Sequence, residues 1–236
     1  MVSPLKRQRD QLLQSETQTV AQAATVNTDS LHLRLIEFEN DKKALKNFNA
    51  IADRITHKRD VLVPKYRAVA EAYLAAGEHY ENPIFTTLTL WMFDIGDLET
   101  AIAWCLKAIE MDLPTPENIK RDWPTFCADH VLEWAEREAE RGHNIEPYFS
   151  QVFEKVMNDW RLHEKVSAKW FKFAGYYLLR DDEGKPRPAA VGDIETLEKA
   201  QALLQKAHEF YDKIGVKSVL DRIPQRINAL KDGKNL

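Results

Sequence analysis

The chain has 236 residues, 44% hydrophobic and 30% charged, with a formal net charge of −4, a length that fits one large domain or two small ones with a substantial core. Glycine is scarce at eight while Ala, Leu, Glu and Lys abound, which argues for an all-helical protein. No apolar run approaches the ~20 residues that cross a bilayer, and the opening MVSPLKRQRDQLLQSETQ lacks the apolar stretch of a secretory signal, so a soluble protein is expected.

Charge is distributed unevenly. Residues 1–67 hold twelve Lys/Arg against eight Asp/Glu, and the remainder twenty-one against twenty-nine. A basic N-terminal part and an acidic C-terminal part suggest different partners for the two regions.

Residues 1–30 begin with Lys6, Arg7 and Arg9 and run into a polar Thr/Gln/Ala-rich stretch, read as an arm or weak helix. Asp29 or Ser30 can cap a helix over Leu31–Leu62, which contains neither Pro nor Gly. On that helix Leu45, Phe48, Ile51, Ala52 and Ile55 gather on one side. Lys42, Lys43, Lys46 and Arg54 gather on the other, followed by Lys58 and Arg59. Pro64 should end or kink it.

A second helix is expected over Tyr66–Ala76, stopped at Gly77, with a turn at 78–82 and a new helix from Pro83. Gly96-Asp97 joins that helix to Leu98–Met111, whose Ala101, Ile102, Leu106 and Ile109 share a packing face. The stretch LPTPENIKRDWPTF, with Pro114, Pro116 and Pro124, reads as a joint between two helical halves. Cys127–Arg141 and Glu146–Asn158 form a predicted pair around Gly142, followed by Val166–Leu179, a charged loop RDDEGKPRPAA, and a closing pair Asp193–Ile214 and Val216–Leu230. Cys105 and Cys127 fall inside helical patterns and read as reduced, buried thiols.

Two turns echo each other, Gly96-Asp97-Leu98-Glu99-Thr100 and Gly192-Asp193-Ile194-Glu195-Thr196. Each is followed by an Ala/Leu helix, the wording of tetratricopeptide-like units in which small residues let helices approach. The expected fold is therefore an all-α helical bundle with tetratricopeptide-like hairpins and an N-terminal basic helical arm. Its domains are expected to be residues 1–65, for DNA binding or oligomerisation, and 66–236, for assembly.

Phosphate contact needs cations spaced along one face, and Lys42, Lys43, Lys46, Arg54, Lys58 and Arg59 supply such a face, with Lys6, Arg7 and Arg9 upstream. The same residues also fit a solvated helix face. Opposite them, Leu45, Phe48, Ile51 and Ile55 can form an oligomer seam or dock on the domain. Lys120-Arg121 is a second basic spot in the Pro-rich joint. Nuclease chemistry needs clustered carboxylates around a divalent metal. The nearest patterns are Asp41-Lys42-Lys43, mid-helix with no strand to present it, and the loop acids Asp181, Asp182 and Glu183. No Gly-rich phosphate loop followed by Lys-Ser/Thr is present, His130 and His163 lack a matching set of metal ligands, and the six tryptophans sit at helix-packing positions. These residues suggest no catalytic group, no metal site and no cofactor.

Several segments, in this order, carry a resemblance to a known family. They are Ser3-Pro4 with Arg7, Lys58-Arg59-Asp60-Val61-Leu62-Val63-Pro64, Leu90-Trp91-Met92-Phe93-Asp94-Ile95-Gly96-Asp97, the Leu113–Phe126 joint, and the late Gly192-Asp193 hairpin with Gly215-Val216-Lys217. The chain resembles, over roughly residues 3–230, the small terminase subunit family of tailed temperate phages, the GpM type also labelled terminase endonuclease subunit. The resemblance implies a packaging subunit of the host cytoplasm. It would bind double-stranded phage DNA at the packaging site, self-associate as a homo-oligomer such as a ring, and deliver DNA to the large terminase subunit, which carries the ATPase motor. Relatives can carry a Lys/Arg-rich C-terminal tail where this sequence ends at Lys231–Leu236, so the DNA contact is expected in the N-terminal region. Two alternatives stand beside this reading: a metal-dependent endonuclease acting at the cohesive-end site, and a helical adaptor without DNA affinity. Whether the chain is itself an enzyme is left open.

Overall fold

In a computed structural model, residues 32–77 and 79–234 are described, and among them the regular structure is helical, with no strand beyond a single bridge between Arg180 and Pro186. The chain divides into two compact units, one reaching to Ile95 and one beginning at Gly96.

The first unit opens with α1 over residues 32–44, closed by a 3-10 turn at Leu45–Asn47. The chain then becomes extended, with Phe48 at ψ 122° and Ala50 at ψ 141°, before α2 begins at Ile51–His57. The single helix expected over Leu31–Leu62 is therefore broken at residues 48–50. The break carries contacts back from α2: Arg54 Nε donates to the Phe48 carbonyl at 2.8 Å, and the Phe48 and His57 rings lie 4.8 Å apart.

Pro64 does not end the helix. A π-turn at Lys58–Leu62 follows α2 directly and leads into α3, Val63–Ala76. The Val63 N–H donates to the Lys58 carbonyl five residues back, and Pro64 sits in the first turn of α3. Proline has no N–H and its ring crowds the carbonyl four residues earlier, so a locally widened helix accommodates it where a regular α-turn would not. The boundary expected at residue 65 thus falls inside one continuous helical rod. Gly77 closes α3 at φ 63°, as expected.

α4, Pro83–Ile95, starts at buried Asn82, whose Oδ1 accepts from the amides of Ile84 and Phe85 at 3.1 and 3.2 Å. Its residues 84–93 are all buried. Phe38 of α1 is the keystone of this unit. It is fully buried and sits 4.9 Å edge-on from Tyr66 of α3 and 5.5 Å from Trp91 of α4.

The second unit contains α5, Leu98–Glu110, α6, Trp123–Glu140, α7, Tyr148–Asn158, α8, Glu164–Leu178, α9, Ile194–Phe210, and α10, Lys217–Lys231. Asp97, Asp122 and Asp193 cap α5, α6 and α9 by accepting from the amides of Thr100, Thr125 and Thr196. α6 begins four residues before the expected Cys127, because Pro124 lies in its first turn, where proline favours helix entry.

α5 and α6 meet where Cys105 Sγ approaches the Trp123 carbonyl at 3.7 Å, and both cysteines are free, buried thiols. Trp170 of α8 stacks 5.2 Å from Phe149 and 6.0 Å from Phe153 of α7. α8 and α9 run antiparallel, pairing Phe171 with Phe210 and Gly175 with Leu204. A Cβ on Gly175 would lie 2.7 Å from Leu204 Cγ and 3.2 Å from the Ala200 carbonyl, so only glycine allows this approach. Leu179, Leu197, Leu204, Val216, Ile223 and Ile227 form the core behind it.

Candidate nucleic-acid interface

The predicted basic face is divided by the break at residues 48–50 and neutralised along much of its length. Lys42 on α1 pairs with Glu39 at 2.7 Å, whereas Lys43, near the end of α1, and Lys46, in the 3-10 turn, are exposed with no ion partner among the described residues. Beyond the break, Arg54 is turned onto the Phe48 carbonyl. Lys58 donates to Asp94 of α4 at 2.5 Å, lies 5.7 Å from the Trp91 ring, and has a side chain only 16% exposed. Arg59 pairs with neighbouring Asp60 at 2.9 Å. Lys6, Arg7 and Arg9 lie outside the described residues.

Lys65, which the sequence did not single out, bridges Glu37 and Asp41, each at 2.7 Å. The hydrogen bonds to Asp41 and Glu37 hold its ammonium above the usual lysine range. Asp41 Oδ2 also accepts from the Tyr66 hydroxyl at 2.7 Å. Burial raises the Asp41 pKa, but the hydrogen bonds from Lys65 and Tyr66 outweigh it and the carboxyl titrates below its ordinary value. Burial, helped by Asp41, raises Tyr66 to about 12. Asp41 thus stitches α1 to α3.

The loop acids are also engaged in structure. Asp181 Oδ1 accepts from the amides of Glu183 and Lys185 at 3.0 and 2.8 Å, and Oδ2 pairs with Arg187 at 3.1 Å. The loop is a turn organised around one carboxylate. Among the described residues no three His, Cys, Asp or Glu side chains gather as a metal site. His130 stacks 3.9 Å from Phe126, and His163 caps α8 by accepting from the Lys165 amide. In the Pro-rich joint, Arg121 pairs with Asp129.

Of the predicted seam, Leu45, Phe48 and Ile55 are half-buried and Ile51 is 73% exposed. Leu33 and Ile36, on the solvent side of α1, are also exposed, at 67% and 48%. These two were missed, although their three-residue spacing on a helix was visible in the sequence. No described helix is long and apolar enough to cross a membrane.

Comparison with known proteins identifies this helical assembly. The family model described as phage small terminase subunit matches residues 35–165, the segment from α1 to the start of α8. The chain belongs to the phage small terminase subunit family. It is 35% identical over 216 residues to a probable terminase, endonuclease subunit, of Haemophilus phage HP1, covering 92% of this chain and 77% of that protein. It is 23% identical over 227 residues to the terminase, endonuclease subunit, of Escherichia phage P2, covering 96% and 86%. No solved structure matches the chain. Membership supports a role in phage DNA packaging.

Proposed function

We propose that this chain is the DNA-recognition and assembly subunit of a packaging terminase, working in the host cytoplasm without cutting DNA itself. It binds double-stranded packaging-site DNA, self-associates, and delivers the DNA to the large, motor-bearing subunit. The observation that carries this reading is the family match over residues 35–165. It includes α1 and the 3-10 turn after it, which bear Lys43 and Lys46, without an ion partner among the described residues.

In this reading residues 1–65 supply DNA contact and self-association, and the helical remainder docks the large subunit. Lys43 and Lys46 meet phosphate, joined by Lys6, Arg7 and Arg9; Lys58, held by Asp94, instead fixes the rod that carries them. Exposed Ile51, with Leu45, Phe48 and Ile55 beside it, belongs to the seam between copies. The turns at Gly96-Asp97 and Gly192-Asp193 open tetratricopeptide-like hairpins that serve as docking scaffold.

The test is binding of a packaging-site duplex across a salt series. The expected result is a steep fall in affinity with salt, weakened by Lys43→Glu with Lys46→Glu. Magnesium-dependent DNA cleavage by the isolated chain, lost in Asp41→Ala, would contradict the non-catalytic part. Tight binding to a large terminase subunit with no DNA affinity would leave an adaptor.

A further inference from the structure

Among the described cations of the first unit, Lys42 is paired with Glu39, Lys58 with Asp94, and Lys65 with Glu37 and Asp41. A different arrangement occupies α8 in the second unit. Lys165, Lys169 and Lys172 recur at spacings of four and three residues, so they share one face of the helix over about 10 Å of its length. Alongside runs the 211–215 segment between α9 and α10. Lys165 Nζ sits 5.3 Å from the Tyr211 ring, and Lys172 Nζ donates to the Ile214 carbonyl at 2.9 Å. The Tyr176 hydroxyl donates to the neighbouring Gly215 carbonyl at 3.2 Å, and Lys213 projects from the same segment, exposed.

None of Lys165, Lys169, Lys172 and Lys213 has a carboxylate partner among the described residues. The contacts that position Lys165 and Lys172 are an aromatic face and a neutral carbonyl, which orient an ammonium without cancelling its charge. The acids nearby are Glu136 on α6, which interacts through space with Lys169 and Lys172 and has Glu133 and Glu140 beside it, together with Glu164 and Asp212 beside the row in sequence. A helix edge with a row of lysines, two of them oriented by an aromatic face and a carbonyl and none held in a close ion pair among the described residues, fits a polyanion whose charges repeat at close intervals.

We propose that Lys165, Lys169, Lys172 and Lys213 form a second contact surface for the phosphate backbone of double-stranded DNA, placed in the acidic half of the chain. This rests on the DNA-binding reading above and extends it from α1 to α8. The surface is independent of base sequence, because backbone phosphates carry no sequence information directly. Lys172 also anchors the 211–215 segment, so the separable charges are Lys165, Lys169 and Lys213.

The experiment uses the full chain and a mixed-sequence DNA duplex, with affinity measured by fluorescence anisotropy over a salt series. In Lys165→Glu/Lys169→Glu/Lys213→Glu, with helical circular dichroism unchanged, affinity should fall at least about tenfold and the salt slope should flatten by roughly two to three. The Lys→Gln triple variant, which carries no reversed charge, should shift both readings the same way by less. Unchanged affinity and slope in both variants, with binding lost in Lys43→Glu/Lys46→Glu, would overturn the α8 surface and leave the DNA-binding reading standing. No duplex binding by the unaltered chain at low salt would overturn both. Loss of poly-glutamate binding in the triple variant with duplex binding intact would overturn the proposal in favour of an acidic protein partner.

Discussion

Lys58 and Asp94 stand 36 residues apart in sequence and meet at 2.5 Å, joining the π-turn to the last turn of α4. The lysine lies in one of the segments that resemble the terminase family and the aspartate in another. Trp91, from the second segment, places its ring 5.7 Å from the same ammonium. The two segments thus meet in one contact that joins the rod of α2 and α3 to α4.

That contact predicts coupling. Asp94 is 41% exposed, so the pair should contribute about 0.5–1 kcal/mol in a double-mutant cycle of Lys58→Ala and Asp94→Ala. Lys58→Ala should cost more than Asp94→Ala, because it also removes the contact with Trp91. Urea unfolding of the four proteins measures both effects.

Gly175→Ala should destabilise despite alanine's better helix propensity. The added methyl overlaps Leu204 Cγ and Cδ2 at 2.7 Å and crowds the Ala200 carbonyl. Overpacking of this kind costs about 1–3 kcal/mol, against a propensity gain of about 1 kcal/mol. Thermal melting should show a lower Tm. Combining the change with Leu204→Ala should give less than the sum of the two single losses.

The three capping aspartates make a graded prediction. Asp193 accepts from both the amide and the hydroxyl of Thr196, at 2.8 and 2.6 Å, whereas Asp97 accepts from the Thr100 amide at 3.2 Å. Each aspartate-to-alanine change should cost about 0.5–2 kcal/mol, with Asp193→Ala at the upper end. Denaturant midpoints at neutral pH read the order directly.

Acid should weaken the seam between α1 and α3. Asp41 titrates below its ordinary 3.8, because hydrogen bonds from Lys65 and Tyr66 overcome the effect of burial. A carboxyl whose folded pKa is depressed contributes stability above its unfolded pKa and loses it as pH falls through the folded value. The unaltered protein should therefore lose stability more steeply below about pH 4 than Asp41→Asn does. Tyr66, raised to about 12, acts in the opposite direction: its contribution is complete below the unfolded value of 10 and disappears as pH rises towards 12. Tyrosinate absorbance in Tyr66→Phe against the parent identifies that step.

Several helix ends are legible where a local device makes them. Gly77, Asp97 and Asp193 are read from single residues, because a left-handed stop or a side-chain cap acts within a few positions. The start of α6 is not: Pro124 alone reads as part of a Pro-rich joint, and only together with the preceding Asp122 does it mark a helix entry. The break at Phe48 was invisible for another reason. Nothing in Asn47-Phe48-Asn49-Ala50 forbids a helix, and the contacts to Arg54 and His57 decide the matter. Charge positions were legible but charge partners were not: the carboxylates that occupy Lys58 and Lys65 lie 36 and 24 residues away.

The π-turn shifts the register of the rod that α2 and α3 form. A turn closed five residues back holds about one residue more than an α-turn, and each extra residue in a helix rotates everything downstream by about 100°. A helical wheel drawn straight from Ile51 to Ala76 therefore misplaces the faces of α3 by about 100°.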